Sequence, residues 1–426
     1  MKFTEKLHQI WKDHDLRRSI LFVLGLLVVA RIAAHIPMPG VDTNALRQFF
    51  GSSQVLGLLN MFSGGAMENF SLVALGIGPY ITASIILQLL GMIIPSLEEI
   101  MKEGESGQKK INQWTRLLTI PLALLQGFSM IRLLQQSGRG IIGNLSTGEF
   151  IFMMVILTGG TMFLMWLGEM ISEKKVGNGI SLIILVGIVA GIPTSLQQTL
   201  LTFSADKAFN LLAYVVMAVL VVAAVVFITE GQRNIPVSYA KRVRGNKMYG
   251  GFDTHLPLKV NQTGMIPIIF AVAIVMFPPL IGQMFLHSGS AFLRSASQFI
   301  IDLFNNQYFY GAIYFFMVFG FTYFYTAVIF HPHQIAENLQ KQGGFVPGLR
   351  PGPQTADYLA KVSNRIMLAG ALFLGAVAIL PLIMKPLTGI STMAISGASL
   401  LIVVSVVLET VRQIDSQLVM RDYEHL

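Results

Sequence analysis

The sequence predicts an all-α polytopic membrane protein, with ten transmembrane helices in two inverted halves of five and one short re-entrant helix near the start. Three observations predict it. Of the 426 residues 53% are hydrophobic and only 12% charged, and the mean hydropathy of +0.63 lies far outside the range of a soluble globular chain. Apolar runs reaching the roughly 20 residues that a spanning helix needs begin near Ser19, Leu72, Thr115, Phe150, Gly179, Asn210, Gly264, Phe309, Ile366 and Ser391. About 23 of the 30 Lys and Arg fall in the N-terminus, the loops after even-numbered runs and the C-terminal tail, which places both termini on the cytoplasmic side of a cell membrane.

The first eighteen residues set Phe3, Leu7, Ile10 and Trp11 on one helical face with Lys and Arg opposite, the pattern of an amphipathic helix lying on the cytoplasmic surface. No small-residue cleavage site follows the first apolar run, so that run is expected to stay as an anchor. Next, Asn44 to Ser63 carries Phe49, Phe50, Val55, Leu58, Leu59, Met61 and Phe62, includes Asn60, and is closed by Gly64 and Gly65. It is too short and too mixed to span. Two readings fit: a half-helix folded back into the membrane, or an extracytoplasmic loop packed on the bundle.

The stretch from Gly65 to Pro95, GAMENFSLVALGIGPYITASIILQLLGMIIP, organises the rest. It is long enough to cross a bilayer, yet Gly76, Gly78 and Pro79 interrupt it where helix propensity is lost and a backbone donor is missing. Broken membrane helices line something, because their freed backbone groups need partners that lipid does not supply.

Residues 19–200 make the first half and 201–408 the second, with 409–426 as a cytoplasmic tail. Five is odd, so the halves enter the membrane from opposite sides, an arrangement that puts the working site at the repeat interface in discontinuous helices at matching positions. The second run of the first half contains Gly76-Ile77-Gly78-Pro79-Tyr80-Ile81, and that of the second half contains Gly264-Met265-Ile266-Pro267-Ile268-Ile269. Both read Gly-x-x-Pro with isoleucine two residues later; a chance match is the alternative, since Gly and Pro are common in membrane helices. Ile77 with Ile81, and Ile180 with Ile184, show branched side chains on one helical face, as lipid-facing or core isoleucines also do.

Arg31, Glu169 and Lys385 are the ionisable residues in or near the apolar runs, each close enough to an end to snorkel. That argues against a proton relay, an ion-coupled pump and an intramembrane protease. His331-Pro332-His333 has no third ligand nearby, no Gly-rich nucleotide loop is present, and there is no cysteine, so neither metal, cofactor nor enzymatic activity is expected. Two cytoplasmic loops are long. Gly231 to Val260 carries Arg233, Lys241, Arg242, Arg244, Lys247 and Lys259 against Asp253, with Tyr249 to Gly251 as a turn between possible strands. His331 to Ser363 carries GGFVPGLRPGPQT with Arg350 at its centre. Both suit docking of a protein or of something large and anionic; topology determination and a plain connector are the simpler readings.

The strings NMFSGGA (Asn60 to Ala66), KEGESGQKK (Lys102 to Lys110), GTMFLMWLGE (Gly160 to Glu169), GNGIS (Gly177 to Ser181), HLPLKVN (His255 to Asn261) and FVPGLRPG (Phe345 to Gly352) closely resemble the SecY family of protein-translocon channel subunits, in the same order across nearly the whole chain. The resemblance implies an hourglass pore passing unfolded secretory proteins across the membrane and releasing transmembrane segments sideways into lipid. Its ring would be Ile77, Ile81, Ile180, Ile184, Ile269 and Ile402, and its plug residues 53–66, including Val55, Leu58, Leu59, Asn60, Met61, Phe62, Ser63, Gly64 and Gly65. A lateral gate would lie between the runs beginning near Leu72 and Thr115 and those beginning near Gly264 and Phe309, with Thr82, Gln88, Gln126 and Asn261 as polar members and the breaks at Gly76, Gly78, Pro79, Gly264 and Pro267. The implied partners are SecE- and SecG-like small membrane subunits, the motor ATPase SecA or the ribosome on Lys241, Arg242, Arg244, Lys247 and Arg350, signal peptides and nascent membrane proteins as substrates, and membrane lipid. Gly78 departs from the larger residue of many relatives, and the tail after Glu409 is short. From sequence physics alone, the rival reading is an inverted-repeat solute transporter.

Overall fold

A computed structural model describes residues 10–52, 60, 63, 65–136, 140–143, 145–201, 208–239, 242–244, 247–249, 253–286, 289–388 and 397–424. The first half of the N-terminal amphipathic segment, residues 1–9, lies outside these residues; Ile10 and Trp11 are helical and Trp11 is exposed. Asp13 then interrupts the helix and caps the next one, accepting 3.0 Å bonds from the backbone N–H groups of Asp15 and Leu16. Helix α1 is His14–His35 and α2 is Thr43–Ser52, the latter capped by Asp42. Helix α3, Gly78–Ile93, bends by 107° into α4, Pro95–Lys102, because Pro95 cannot continue it. Helix α5 is Glu105–Gln136, and α6, Thr147–Glu173, opens on a capping box between Ser146 and Glu149. Helix α7, Gly179–Leu201, closes the first half.

The second half comprises α8 (Ala208–Glu230), α9 (Ile266–Phe285), α10 (Ala291–Asn305), α11 (Gln307–Ile329), α12 (Pro332–Lys341), α13 (Pro353–Thr388) and α14 (Gly397–Glu424). Among the described residues α5, α6, α9, α11 and α13 are long and apolar enough to cross a membrane, and the bent pair α3–α4 is a sixth span if taken as one. The other four expected crossings coincide with α1, α7, α8 and α14. Of these, α7 and α8 carry shorter apolar stretches, Gly179–Pro193 and Val215–Glu230. Ten crossings therefore remain an expectation.

The expected half-helix is helical through Ser52, with Leu46 fully buried beside Phe70, Ile141 and Ile142. A larger apolar cluster runs through both halves, drawing on α1, α3, α6 and α7 from the first and α8, α9, α11, α13 and α14 from the second. Between the halves α9 packs against α3 and α5, and α14 packs against α7; within the second half α14 also packs against α8.

The expected strands form. Strand β1 (Gln232–Tyr239) pairs antiparallel with β4 (Asp253–Lys259), from Gln232 opposite Lys259 to Ser238 opposite Asp253. Between them β2 (Arg242–Arg244) and β3 (Lys247–Tyr249) form a small hairpin. Strand β5 (Gly344–Phe345), from the other loop, adds to the free edge of β1 at Ser238 and Tyr239. Pro236 is tolerated in β1 because β5 does not reach it, leaving that edge without a donor requirement. Ile235 and Val237 point inward onto Leu258, Val346, Leu359 and Val362.

Candidate functional site

The two broken helices begin in the same way. Gly76 has φ +59° and Gly264 φ +63°, the left-handed region that favours glycine. The following residues have closely similar backbones, Ile77 at φ −95°, ψ 4° and Met265 at φ −94°, ψ −8°, and neither cap has a side-chain hydrogen bond. Pro79 and Pro267 then occupy the first turn, where a missing N–H costs nothing. The repeated Gly-x-x-Pro string thus encodes one local conformation twice, in helices that touch each other.

Ile77, Ile184, Ile269 and Ile402 are buried in the apolar cluster spanning both halves, and Ile81 and Ile180 are half-buried against it. All six predicted ring residues are therefore brought into one apolar environment, by α3 with its cap, α7, α9 and α14. Of the predicted gate residues, Thr82 donates to the Gly78 carbonyl at 3.0 Å, and a Cβ placed on Gly78 would meet Gln126 Oε1 at 3.7 Å. These three lie together at the α3 break. Asn261 is buried and donates to the Gly264 carbonyl at 3.1 Å, while accepting from Thr263 Oγ1 at 3.3 Å, so it holds the turn that starts α9. Gln88 is bonded within α3, to Ser84 at 3.0 Å, and lies about 9 Å along the helix from Thr82.

Of the predicted plug, Val55, Leu58, Leu59, Met61, Phe62 and Gly64 lie outside the described residues. Asn60 and Ser63 are buried and tightly tied. Ser63 Oγ donates to the Asn60 carbonyl at 2.9 Å and accepts from Met67 N–H, while Asn60 Oδ1 accepts from Glu68 N–H and its carbonyl accepts from Gly65 N–H. Ser63 lines a narrow cavity with Val73, Leu164 and Ile183, of which Val73 and Leu164 belong to the apolar cluster that holds the six isoleucines and Ile183 packs on it. Burial pushes the Glu68 carboxyl above the ordinary glutamate range, with Arg47 pulling the other way.

On the β-sheet side, the two basic loops form one structure. Arg242, Arg244 and Lys247 lie on β2 and β3, Lys241 is outside the described residues, and exposed Arg350 follows β5 in a loop whose glycines Gly348 and Gly352 take φ +85° and +102°. Thr355 donates to the Arg350 carbonyl at 2.8 Å, fixing the loop's backbone while leaving the guanidinium outside. His331 caps α12 and Pro332 opens it.

Sequence reasoning missed a junction on this side. Gln417 of α14 donates to the Lys175 carbonyl at 2.6 Å, across 242 residues, and Arg412 pairs with Glu230 at 2.5 Å. Burial raises the pKa of Glu409, opposed by Lys259 and Arg412. The end of α14 thus joins the α6–α7 connection of one half to α8 and β4 of the other. Glu169, close to the end of α6, also meets Arg116 across α5 and α6 at 2.7 Å. Charges with no local partner were the available signal.

The family model described as SecY matches residues 71–411. The protein translocase subunit SecY of Mycobacterium bovis is 42% identical over 431 residues, covering 96% of each chain. Among solved structures, one concerned with the SecY plug domain, said to stabilise the closed state of the translocation channel and maintain a membrane seal, aligns over 91% of this chain and 89% of its own, with TM-score 0.61 and 20% identity. Another, of Sec61 in the canine ribosome–channel complex from the endoplasmic reticulum, aligns over 92% and 90%, with TM-score 0.56 and 17% identity.

Proposed function

This chain belongs to the SecY family, and from that premise we propose how it works as the protein-conducting channel subunit of a translocase. The observation that carries the reading is the gathering of the six isoleucines into one apolar cluster shared by both halves, beside two helix breaks of matching conformation. Branched side chains at a waist offer nothing to replace an ion's hydration shell, so ions meet a dewetting barrier while a translocating chain is sealed by soft apolar contact. The buried Asn60–Ser63 turn is the foot of the plug, which blocks the idle pore. The gate opens between α3 and α5 on one side and α9 and α11 on the other, and an apolar signal helix leaves through it because hydrocarbon is its better solvent. Thr82 and Gln126 at the α3 break, and Asn261 at the α9 break, supply its polar seam; Gln88 stands apart from them.

SecE- and SecG-like subunits, SecA and the ribosome are its partners, the last two meeting the sheet and Arg350. The chain sits in the cell membrane with both termini cytoplasmic, in halves 19–200 and 201–408, and performs no catalysis itself. The inverted-repeat transporter is not favoured, since the relatives that cover the chain are translocase subunits.

The test is protease protection of a signal-bearing precursor in vesicles holding this chain, its SecE-like partner and SecA. ATP-dependent protection that disappears when the signal is deleted is expected; full digestion of a transport-competent precursor would refute the channel. The ring has its own test. Ile81→Gly with Ile269→Gly is expected to raise ion leakage in planar bilayers, and unchanged conductance would remove those residues from the constriction.

A further inference from the structure

Helix α10 has three faces. Ser297, Ile300, Ile301 and Phe304 turn toward the bundle, with Ser297 and Phe304 buried. Arg294, Gln298, Asp302 and Asn305 form an exposed polar stripe about 100° away, and Gln298 donates to Asp302 at 2.9 Å along it. The third face carries Phe292 and Phe299, 78% and 67% exposed and seven residues apart, so they lie one above the other on the side opposite the bundle contact.

The helix's position gives the exposed face its meaning. Helix α9 leaves the β-sheet side at Val260–Gly264 and runs 20 residues, about 30 Å, which is the thickness of a bilayer's hydrocarbon core. Helix α10 follows it and α11 returns, so α10 lies at the membrane boundary away from the sheet. Its 15 residues are too few to span. Its neighbours in the chain expose apolar side chains as well, Ile281 and Phe285 on α9 and Tyr308 and Phe316 on α11. Contact with α9 is close: a Cβ on Gly282 would sit 3.3 Å from both Ile301 Cγ1 and the Ser297 carbonyl oxygen.

We propose that α10 is an interfacial anchor that inserts Phe292 and Phe299 into the acyl–headgroup boundary of the leaflet opposite the β-sheet, tying the far end of α9 to the lipid. A polar stripe to water, aromatic rings to lipid and a third face on protein are what such a boundary demands of a helix lying in its plane. Since α9 is one wall of the proposed gate, that wall opens against a lipid-held support. The proposal rests on the membrane-channel reading above.

The chain contains no cysteine, so single cysteines at Phe292, Phe299, Gln298 and Phe316 give unambiguous spin-label sites in the vesicle-reconstituted complex, prepared with cysteine-free partner subunits. Labels at Phe292→Cys and Phe299→Cys are expected to collide with oxygen several-fold more often, relative to a water-soluble nickel chelate, than the label at Gln298→Cys. If all three α10 labels meet the chelate equally, the helix lies in water and the proposal fails. If Phe292 and Phe299 are shielded from both reagents, a protein covers that face and the proposal also fails. The Phe316→Cys label on α11 reports the bilayer independently; its exposure to the chelate would overturn the membrane placement itself, and the proposal with it.

Discussion

At the scale of single residues, two of the three glycines within the breaks do the same work and the third does not. Gly264 holds φ +63° with nothing within 4 Å of where a Cβ would sit, so Gly264→Ala adds backbone strain without a clash. It is expected to cost about 1–2 kcal/mol, seen as a lower unfolding midpoint in detergent. Gly76, at φ +59°, shares that conformation. Gly78 does not: it is the first residue of α3, and its Cβ would meet only Gln126 Oε1 at ordinary contact distance. Gly78→Ala is therefore expected to be neutral or to stabilise by about 0.5–1 kcal/mol, since alanine loses less entropy in a helix. Glu68 offers a pH test. Its folded pKa is raised by burial, so below the ordinary glutamate range both states are protonated and nothing is gained or lost. Above the raised value the folded state holds a partly buried charge and is penalised. Stability should thus rise as pH falls through the raised pKa, and Glu68→Gln should abolish that part of the slope in thermal unfolding.

At the scale of elements, the proposed docking surface is a composite. Strand β5 belongs to one loop and β1 and β4 to the other, so the shared apolar layer of Ile235, Val237, Leu258, Val346 and Leu359 anchors the loop that carries Arg350 to the sheet. Because the guanidinium is exposed and the loop is fixed through its backbone, Arg350→Glu is expected to leave the unfolding midpoint within about 0.5 kcal/mol of wild type while impairing SecA-driven precursor transport. Loss of folded protein would give Arg350 a structural role instead. Close helix approach also depends on glycine here: a Cβ on Gly160 of α6 would lie 2.0 Å from the Leu72 carbonyl oxygen, which explains why GTMFLMWLGE opens with that residue.

At the scale of the whole molecule, α14 is the element that joins the halves on the sheet side. Arg412→Ala with Gln417→Ala removes an exposed ion pair and one hydrogen bond to backbone. Together they are expected to cost about 1–2 kcal/mol, close to the sum of the single effects, measured by thermal unfolding of the reconstituted complex. No change in midpoint would mean that the junction forms without holding the halves.

Helix positions, the paired breaks and the strand-forming loop were legible without coordinates. Hydropathy, charge and the need for glycine at positive φ are properties of contiguous residues, and a string such as Gly-x-x-Pro carries its conformation with it. Joining β5 to β1, bringing Gln417 to Lys175, pairing Glu169 with Arg116 and turning Phe292 and Phe299 away from the bundle were decided only when the chain packed. Each depends on which surfaces meet across tens or hundreds of residues, and the free energy of such a meeting belongs to the pair of surfaces and is written in neither stretch alone.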